Sequence, residues 1–245
     1  MVRRIVTDPP AIEIVGLSKR YHALRPLRIA RWSVALGECL AVSGFDEAAA
    51  ELFVNLLTGA SVPDEGDVRI DGKNTREIGT DTEWLASLDR FGLVTARAVL
   101  LDSLPVEANL ALPLTMAIDP LAEAVRARVE ALADEVGLSR ARLQEAASTL
   151  GAEDRVRVRL ARALAAGPAT LLLEHPTAAL SGEASAAIGS TLQGVAAGRG
   201  IGWIALTEDH AFATASGGRR LRLEARSGAL IEDGFWRRVL GGRHG

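Results

Sequence analysis

The chain has 245 residues, a formal net charge of −3, 24% charged residues and one cysteine. This length suits one α/β domain with a helical insertion, and the absence of a basic run argues against a nucleic-acid surface. One cysteine rules out an internal disulfide and suits a reducing compartment, where Cys39 is predicted to pack as a small buried residue. No secretory signal and no apolar run of 18 residues is found.

A strand, a turn and a helix are predicted early in the chain. Residues 38–43 have the apolar pattern of a short buried strand, and Gly44 follows as a turn. A helix is predicted over residues 48–57, with Gly59 at its end. This order is the outline of a phosphate-binding loop, in which free backbone N–H groups at a helix start hold the phosphates of a nucleotide.

The side chains of this loop do not match that chemistry. A working loop reads G-x-x-x-x-G-K-[ST], in which the lysine reaches the β and γ phosphates and the hydroxyl ligates magnesium. Counting from Gly44, the last three places hold Ala49, Ala50 and Glu51. The loop therefore has the scaffold of a phosphate site without its lysine.

Acidic residues surround the same loop. Asp46, Glu47 and Glu51 place carboxylates where a polyphosphate would lie, and like charges lower affinity. Asp46 is suited to cap the helix with Glu47 in the first turn, so the chain's own carboxylates can satisfy the loop N–H groups. A second interpretation is an ordinary acidic helix start in an unrelated fold.

Later segments follow a recognisable order. Residues 63–72 read P-x-x-G-x-V-x-I-x-G, whose alternation predicts a half-buried strand. Residues 109–114 read N-x-x-x-P-L, residues 157–164 read R-V-x-x-A-R-A-L, and residues 169–181 end an apolar run in E-H-P-T-x-x-L-S. Over roughly residues 11–233, the chain resembles the nucleotide-binding subunit of an ATP-binding cassette (ABC) transporter.

The resemblance implies an α/β fold of the P-loop NTPase type, with a mixed β core, an antiparallel β subdomain and an inserted α-helical subdomain. One ABC ATP-binding domain is expected over residues 11–233, with the helical insertion at about 96–167. Residues 1–10 and 234–245 are expected to be tails. In the family, the helical subdomain forms a groove that receives a short cytoplasmic helix of the membrane subunit.

One helix of that subdomain is predicted directly from its pattern. It is expected to start at Asp119-Pro120 and to end at Gly137. Its apolar face is predicted to consist of Leu121, Val125, Val129, Leu132 and Val136.

The resemblance also identifies the family's catalytic positions, and these are altered. Glu174 stands at the magnesium aspartate, His175 at the catalytic glutamate and Glu208 at the histidine that contacts the γ-phosphate. Ala96 replaces the glutamine that senses magnesium and water, while His210 is expected at the surface. Glu174 is a candidate magnesium ligand and His175 a candidate base. The alternative is a strand end whose carboxylate and imidazole hydrogen-bond to neighbouring loops.

Two further positions concern nucleotide and partner contacts. Tyr21, the only tyrosine, stands where the family stacks adenine, although its ring could instead close a sheet edge. The family's signature motif LSGGQ, which caps the γ-phosphate bound by the partner subunit, corresponds here to Leu150, Gly151, Ala152, Glu153 and Asp154. The serine hydroxyl is absent, and two glycine positions carry bulk or negative charge.

Scaffold positions thus match the family, whereas polar catalytic positions have changed together. We expect an ABC ATP-binding-subunit homologue that is a degenerate pseudo-ATPase. It would act as a structural or regulatory subunit, docking on membrane permease subunits at the cytoplasmic face and pairing with itself or another ATPase subunit. No cofactor is expected, unless residual ATP and magnesium binding persists. Two alternatives remain: an ABC ATPase with slow hydrolysis, and a soluble regulatory module without a membrane partner.

Overall fold

A computed structural model of the chain describes residues 10–232. The predicted tails at residues 1–10 and 234–245 lie outside this range, apart from Pro10. In the described part the strands are β1 (Ile12–Lys19), β2 (Leu27–Val34), β3 (Cys39–Ser43), β4 (Glu65–Ile70), β5 (Lys73–Asn74), β6 (Phe91–Val94), β7 (Thr170–Glu174), β8 (Gly202–Leu206), β9 (Arg219–Glu224) and β10 (Ala229–Glu232).

Helices connect these strands and fill the insertion between β6 and β7. They are α1 (Glu47–Leu57), α2 (Asp81–Leu88), α3 (Val106–Ala111), α4 (Glu123–Glu135), α5 (Ala152–Ala165), α6 (Gly182–Arg199) and α7 (His210–Ala215). Short 3-10 turns lie at Thr75–Glu77, Arg140–Gln144 and Ala147–Thr149. Within residues 10–232, no helix combines the length and the apolar character needed to cross a bilayer.

The strands form two sheets. A four-stranded antiparallel sheet has the order β2-β1-β4-β5, and a six-stranded sheet has the order β10-β9-β3-β8-β7-β6. The larger sheet is parallel except where β10 pairs with β9. This arrangement, with helices α3 to α5 inserted between β6 and β7, confirms the predicted α/β fold with a mixed core, an antiparallel subdomain and a helical subdomain.

The order of the large sheet brings the predicted site together. Strands β7 and β8 are buried throughout, as expected for parallel strands covered on both faces. Because β3, β8 and β7 are parallel neighbours, the loops after residues 43, 174 and 206 meet at one edge of the sheet. Ligands of open α/β sheets commonly bind at this carboxyl edge.

Helix α1 packs between the two sheets on an aromatic cluster. Phe53 is fully buried, and its ring centroid lies 5.7 Å from that of Trp32 and 5.2 Å from that of Phe45. The predicted alternation in β4 is confirmed, because Val68 and Ile70 are buried in the same core. The helix that carries the phosphate-type loop is therefore held by apolar packing, independently of any ligand.

The helical subdomain differs from the prediction at one boundary. Helix α4 begins at Glu123, not at residues 119–120, because Leu121 is buried ahead of the helix and Ala122 is still extended. The apolar face is confirmed at Val129, Leu132 and Val136, which are fully buried.

The prediction for Cys39 also needs correction. Cys39, the first residue of β3, is half-buried, because it lies at the strand's amino end beside the turn at residues 36–37. Strand β1 ends at Lys19, and Tyr21 lies in the loop that follows it.

The two glycines that flank β3 provide a test of how tightly the loop is packed. Gly37 and Gly44 both have positive φ, of +78° and +90° respectively. A Cβ on Gly37 would meet nothing within 4 Å. A Cβ on Gly44 would lie 2.6 Å from the Leu223 carbonyl oxygen. Gly37→Ala should cost about 1–2 kcal/mol of unfolding free energy. Gly44→Ala should cost at least about 1 kcal/mol more, because backbone must move. Chemical denaturation measures both; equal losses would contradict the close approach.

Candidate functional site

A carboxylate in the loop after β3 accepts a hydrogen bond from the start of α1. Asp46 caps α1, its Oδ1 accepting a hydrogen bond of 2.7 Å from the Ala49 backbone N–H, and Glu47 lies in the first turn. The predicted cap is therefore confirmed. The helix itself starts one residue earlier than predicted, at Glu47.

A second carboxylate reaches the same loop from the neighbouring strand. Glu208, two residues beyond β8, accepts a hydrogen bond of 2.6 Å from the Gly44 backbone N–H to its Oε1. The contact forms because β8 and β3 are adjacent and parallel. Gly44 and Ala49 thus each donate to a carboxylate of this chain.

An arginine joins the other two acidic positions. Arg97 donates from Nη1 to Glu51 Oε1 at 2.8 Å, from Nη2 to Glu174 Oε1 at 2.5 Å and from Nε to Glu174 Oε2 at 3.2 Å. The pair with Glu174 is the two-pronged geometry in which arginine binds carboxylate most strongly. The Arg97 guanidinium therefore bridges the carboxyl end of β7 and helix α1.

The Glu174 carboxylate is buried and fully engaged. Its side chain is 9% exposed, and Oε2 also accepts a hydrogen bond of 2.9 Å from the Thr95 hydroxyl. Thr95 Oγ1 in turn accepts from the Arg97 backbone N–H at 3.2 Å. A buried carboxylate is costly without such partners.

Sequence reasoning did not identify Arg97 or Thr95. Both flank Ala96, the position that corresponds to the family's glutamine. A signal was present: Glu51 stands at the loop's magnesium-binding hydroxyl and Glu174 at the magnesium aspartate, and two carboxylates at one site favour a cation between them. Arg97 is the arginine adjacent to the aligned position.

Asp209 anchors the loop that follows β8. Its Oδ2 accepts from the Thr177 hydroxyl at 2.7 Å, and its Oδ1 accepts from the Phe212 backbone N–H as the cap of α7. Burial would raise the pKa of Asp209, but the nearby Ser185 hydroxyl and the hydrogen bonds from Thr177 and the backbone outweigh it and lower the pKa. His210, next along the chain, is exposed as predicted, with Nδ1 3.3 Å from Thr214 Oγ1.

The His175 imidazole lacks a hydrogen bond that was predicted for it. Its backbone has φ +40°, a strained value for a non-glycine residue, and its Nε2 is buried without a hydrogen-bond partner. The expectation that this imidazole hydrogen-bonds to neighbouring loops is therefore wrong for Nε2, although the same expectation holds for the Glu174 carboxylate. His175, Ala96 and Ala152 line one cavity of about 280 Å³, so the linker, the signature segment and the β7 end do meet.

The signature segment is occupied by contacts of its own. Leu150 is buried, and Gly151 caps α5 without a side-chain hydrogen bond. Glu153 Oε1 accepts from Arg157 Nη2 at 2.7 Å within α5, and Asp154 forms an ion pair of 3.4 Å with Arg142. Both acidic replacements are thus paired within the helical subdomain.

Tyr21 lies on the side of the loop that carries Asp46. It is half-buried against the core beneath α1. Burial raises the pKa of its hydroxyl, and the nearby Asp46 carboxylate raises it further. Both the stacking role and the edge-closing role remain predictions.

Comparison with protein families gives one match. The model described as "ABC transporter" matches residues 27–178. The methionine import ATP-binding protein MetN of Mesorhizobium japonicum is 30% identical over 223 residues, which cover 91% of this chain and 60% of that protein. The macrolide export ATP-binding/permease protein MacB 1 of Aeromonas hydrophila is 28% identical over 228 residues, covering 91% of this chain and 34% of that protein.

Solved structures share the fold. Part of the ABC transporter complex cbiONQ, cbiO1 from Clostridium perfringens, matches with a TM-score of 0.77 and 19% identity, covering 95% of this chain and 91% of that one. The ATP-binding cassette MJ0796 bound to ADP and Pi matches with a TM-score of 0.73 and 22% identity, covering 89% and 96%. The chain spans 54–60% of the length of the MetN relatives that it matches. With its family model, fold and motif order in agreement, the chain belongs to the ABC transporter family as an ATP-binding-subunit homologue.

Proposed function

We propose that this chain is a pseudo-ATPase of the ABC transporter family, a structural or regulatory subunit that docks on membrane permease subunits and does not turn over ATP. The observation that carries the proposal is the Arg97 guanidinium, which bridges Glu51 and Glu174. The family resemblance places the two oxygen ligands of magnesium at these positions. A fixed cation of the chain therefore stands between the residues that would hold the metal.

Magnesium does not fit these residues well. It requires oxygen ligands in near-octahedral geometry and gives up water reluctantly. Both oxygens of Glu174 already accept hydrogen bonds from Arg97, and one also accepts from Thr95. Glu51 Oε1 accepts a further hydrogen bond from Arg97. To bind here, the ion would have to displace a charge-assisted pair at a largely buried carboxylate.

A nucleotide's phosphates fit no better. Two N–H groups of the loop, those of Gly44 and Ala49, donate to Glu208 and Asp46. The phosphate-binding lysine is replaced by Ala50, whose side chain is fully buried. Carboxylates in this position repel a polyphosphate and engage two of the loop's donors. We therefore derive no step of ATP hydrolysis from this site.

The slow-ATPase alternative depends on His175 as a base. A general base must reach the proton of the attacking water. His175 Nε2 is buried without a hydrogen-bond partner, and Ala96 offers no polar group to position a water. The geometry of the described residues favours the scaffold role.

Membrane docking is supported by the relatives and by the surface. The relatives are named as import or export ATP-binding proteins, and cbiO1 is part of a transporter complex. Where β6 leads into the helical subdomain, Leu93, Val99 and Leu101 are exposed by 36%, 70% and 43%. Clustered exposed apolar residues mark interaction sites. We place the chain at the inner face of the membrane, where it would pair with itself or with another ATPase subunit.

Removing Arg97 should turn its site into a divalent-cation site. In Arg97→Ala, Glu51 and Glu174 lose their shared cation, which should cost about 1–3 kcal/mol of unfolding free energy after allowing for the partial exposure of Arg97. Mn²⁺ should then raise the melting temperature of the variant and not that of the parent.

The matched control is Arg140→Ala. Arg140 also bridges two carboxylates, Asp134 and Glu130, but at the surface, with 57% of its side chain exposed. Its loss should cost less unfolding free energy than the loss of Arg97 and should create no response to Mn²⁺. Equal Mn²⁺ responses of the two variants, or of the parent, would contradict the role of Arg97.

The docking role predicts a membrane-bound complex. When cells that encode the chain are fractionated without detergent, the full chain should sediment with membranes. It should co-purify with a multi-span protein after mild solubilisation, and ADP or ATP should not be required for the association. A chain found wholly in the soluble fraction would instead support the regulatory module without a membrane partner.

A further inference from the structure

Helix α5 carries a row of arginines that the candidate nucleotide site does not use. Arg155, Arg159 and Arg162 are spaced four and three residues apart, so they lie along one face of the helix. Arg155 is paired with Asp102 at 3.1 Å, and Arg162 donates to the Val99 carbonyl oxygen at 2.8 Å. The two ends of the row are thus anchored to the segment that follows β6.

The middle arginine has no such anchor. Among residues 10–232, Arg159 forms no ion pair or hydrogen bond, and its Nε is buried without a partner. Burial lowers the pKa of Arg159, and the positive charges of Arg155 and Arg162 lower it further. An unpaired, partly buried guanidinium beside two like charges is unfavourable unless something anionic meets it.

Arg159 also lies where two cavities meet. One, of about 210 Å³, is lined by Leu93, Ala98, Pro113 and Arg162 among others, and the other is the 280 Å³ cavity that contains His175 and Arg155. Arg159 lines both cavities, and neither has an aspartate or glutamate in its lining. The positive charge of Arg159 is therefore not paired within the described residues.

The surface beside the smaller cavity carries exposed apolar side chains. Leu93 lines this cavity and is 36% exposed, and Val99, which follows the lining residue Ala98 and accepts from Arg162 at its carbonyl oxygen, is 70% exposed. A free small anion would be recognised by the arginines alone and would leave these side chains in water. A peptide segment that carries an acid between apolar residues would cover both kinds of surface.

We propose that the groove centred on Arg159 binds a carboxylate side chain of the membrane partner, within a short segment whose apolar residues cover Leu93 and Val99. The inference rests on the proposed docking function and specifies its chemistry: the partner segment is acidic where it meets α5. Arg159 is a recognition residue, since its guanidinium pairs with the carboxylate, while Arg155 and Arg162 hold the groove open around it.

Site-specific photo-crosslinking in cells that encode the chain tests this proposal. The full chain carries Val99→p-benzoylphenylalanine, a position whose side chain already points to solvent, and the linked peptide is sequenced by mass spectrometry. We expect a peptide of a multi-span protein with Asp or Glu within about one helical turn of the linked residue. The same probe at Leu85, which is 57% exposed on α2, should not link to that peptide.

Charge reversal then identifies the pair. Arg159→Glu should lower the crosslink yield by about tenfold or more, and changing the partner's acid to arginine should restore it. Arg128→Glu is the control, because Arg128 is exposed on α4 and has no ion pair within the described residues. Its yield should be unchanged. If Arg159→Glu lowers the melting temperature strongly, Arg159→Gln replaces it in the same comparison.

Several results would overturn the proposal. Three crosslinking results would contradict it: an unchanged yield in Arg159→Glu, a linked peptide without an acid, or a crosslink to a second copy of this chain. If the chain still co-purified with a membrane protein, the proposed docking function would stand. A free small anion is the other possible ligand. The proposal would also be overturned if sodium glutarate raised the melting temperature of the parent but not of Arg159→Gln, and if the Val99 probe linked to no membrane protein. Failure of the unmodified chain to co-purify with any membrane protein would remove both this inference and the proposed function.

Discussion

The bridge from Glu51 through Arg97 to Glu174 is the contact on which the site depends. Glu174 ends a fully buried strand, so its carboxylate is 9% exposed and needs a partner of opposite charge. Arg97 supplies that charge from the linker into the helical subdomain and extends it to α1. Three parts of the chain, the core sheet, the loop helix and the helical subdomain, are thereby tied together without a ligand.

The other carboxylates of the site also form hydrogen bonds within the chain. Glu208 holds the start of the loop, Asp46 caps α1, and Asp209 joins the β8 loop to Thr177. Each uses donors that could otherwise contact a ligand. The apolar packing of α1 on Trp32 and Phe45 is retained alongside these contacts. The result is consistent with a family scaffold that is held closed by its own charges and remains able to present a docking surface.

The fold was predicted from the family resemblance, whereas local pattern predicted single elements, because buried strands, glycine turns and caps depend on short stretches of sequence. The cap at Asp46 and the strand end at Glu174 are examples. The bridge could not, because Arg97 has a long, flexible side chain whose partners lie 46 and 77 residues away. The strained backbone of His175 and the later start of α4 were also missed, since tertiary packing decides them. Arg159 stood out only after the structure showed that no acid reaches it.

Equilibrium binding of ATP to the purified chain tests the central claim most directly. Isothermal titration calorimetry with ATP, with and without excess Mg²⁺, should show no saturable binding to the unmodified protein in the micromolar range. The reason is that Arg97 stands at the cation position, the lysine is absent, and carboxylates line the loop and accept from two of its N–H groups. Saturable, magnesium-dependent binding in the micromolar range would contradict the account, because it would require Glu51 and Glu174 to release Arg97 at little cost.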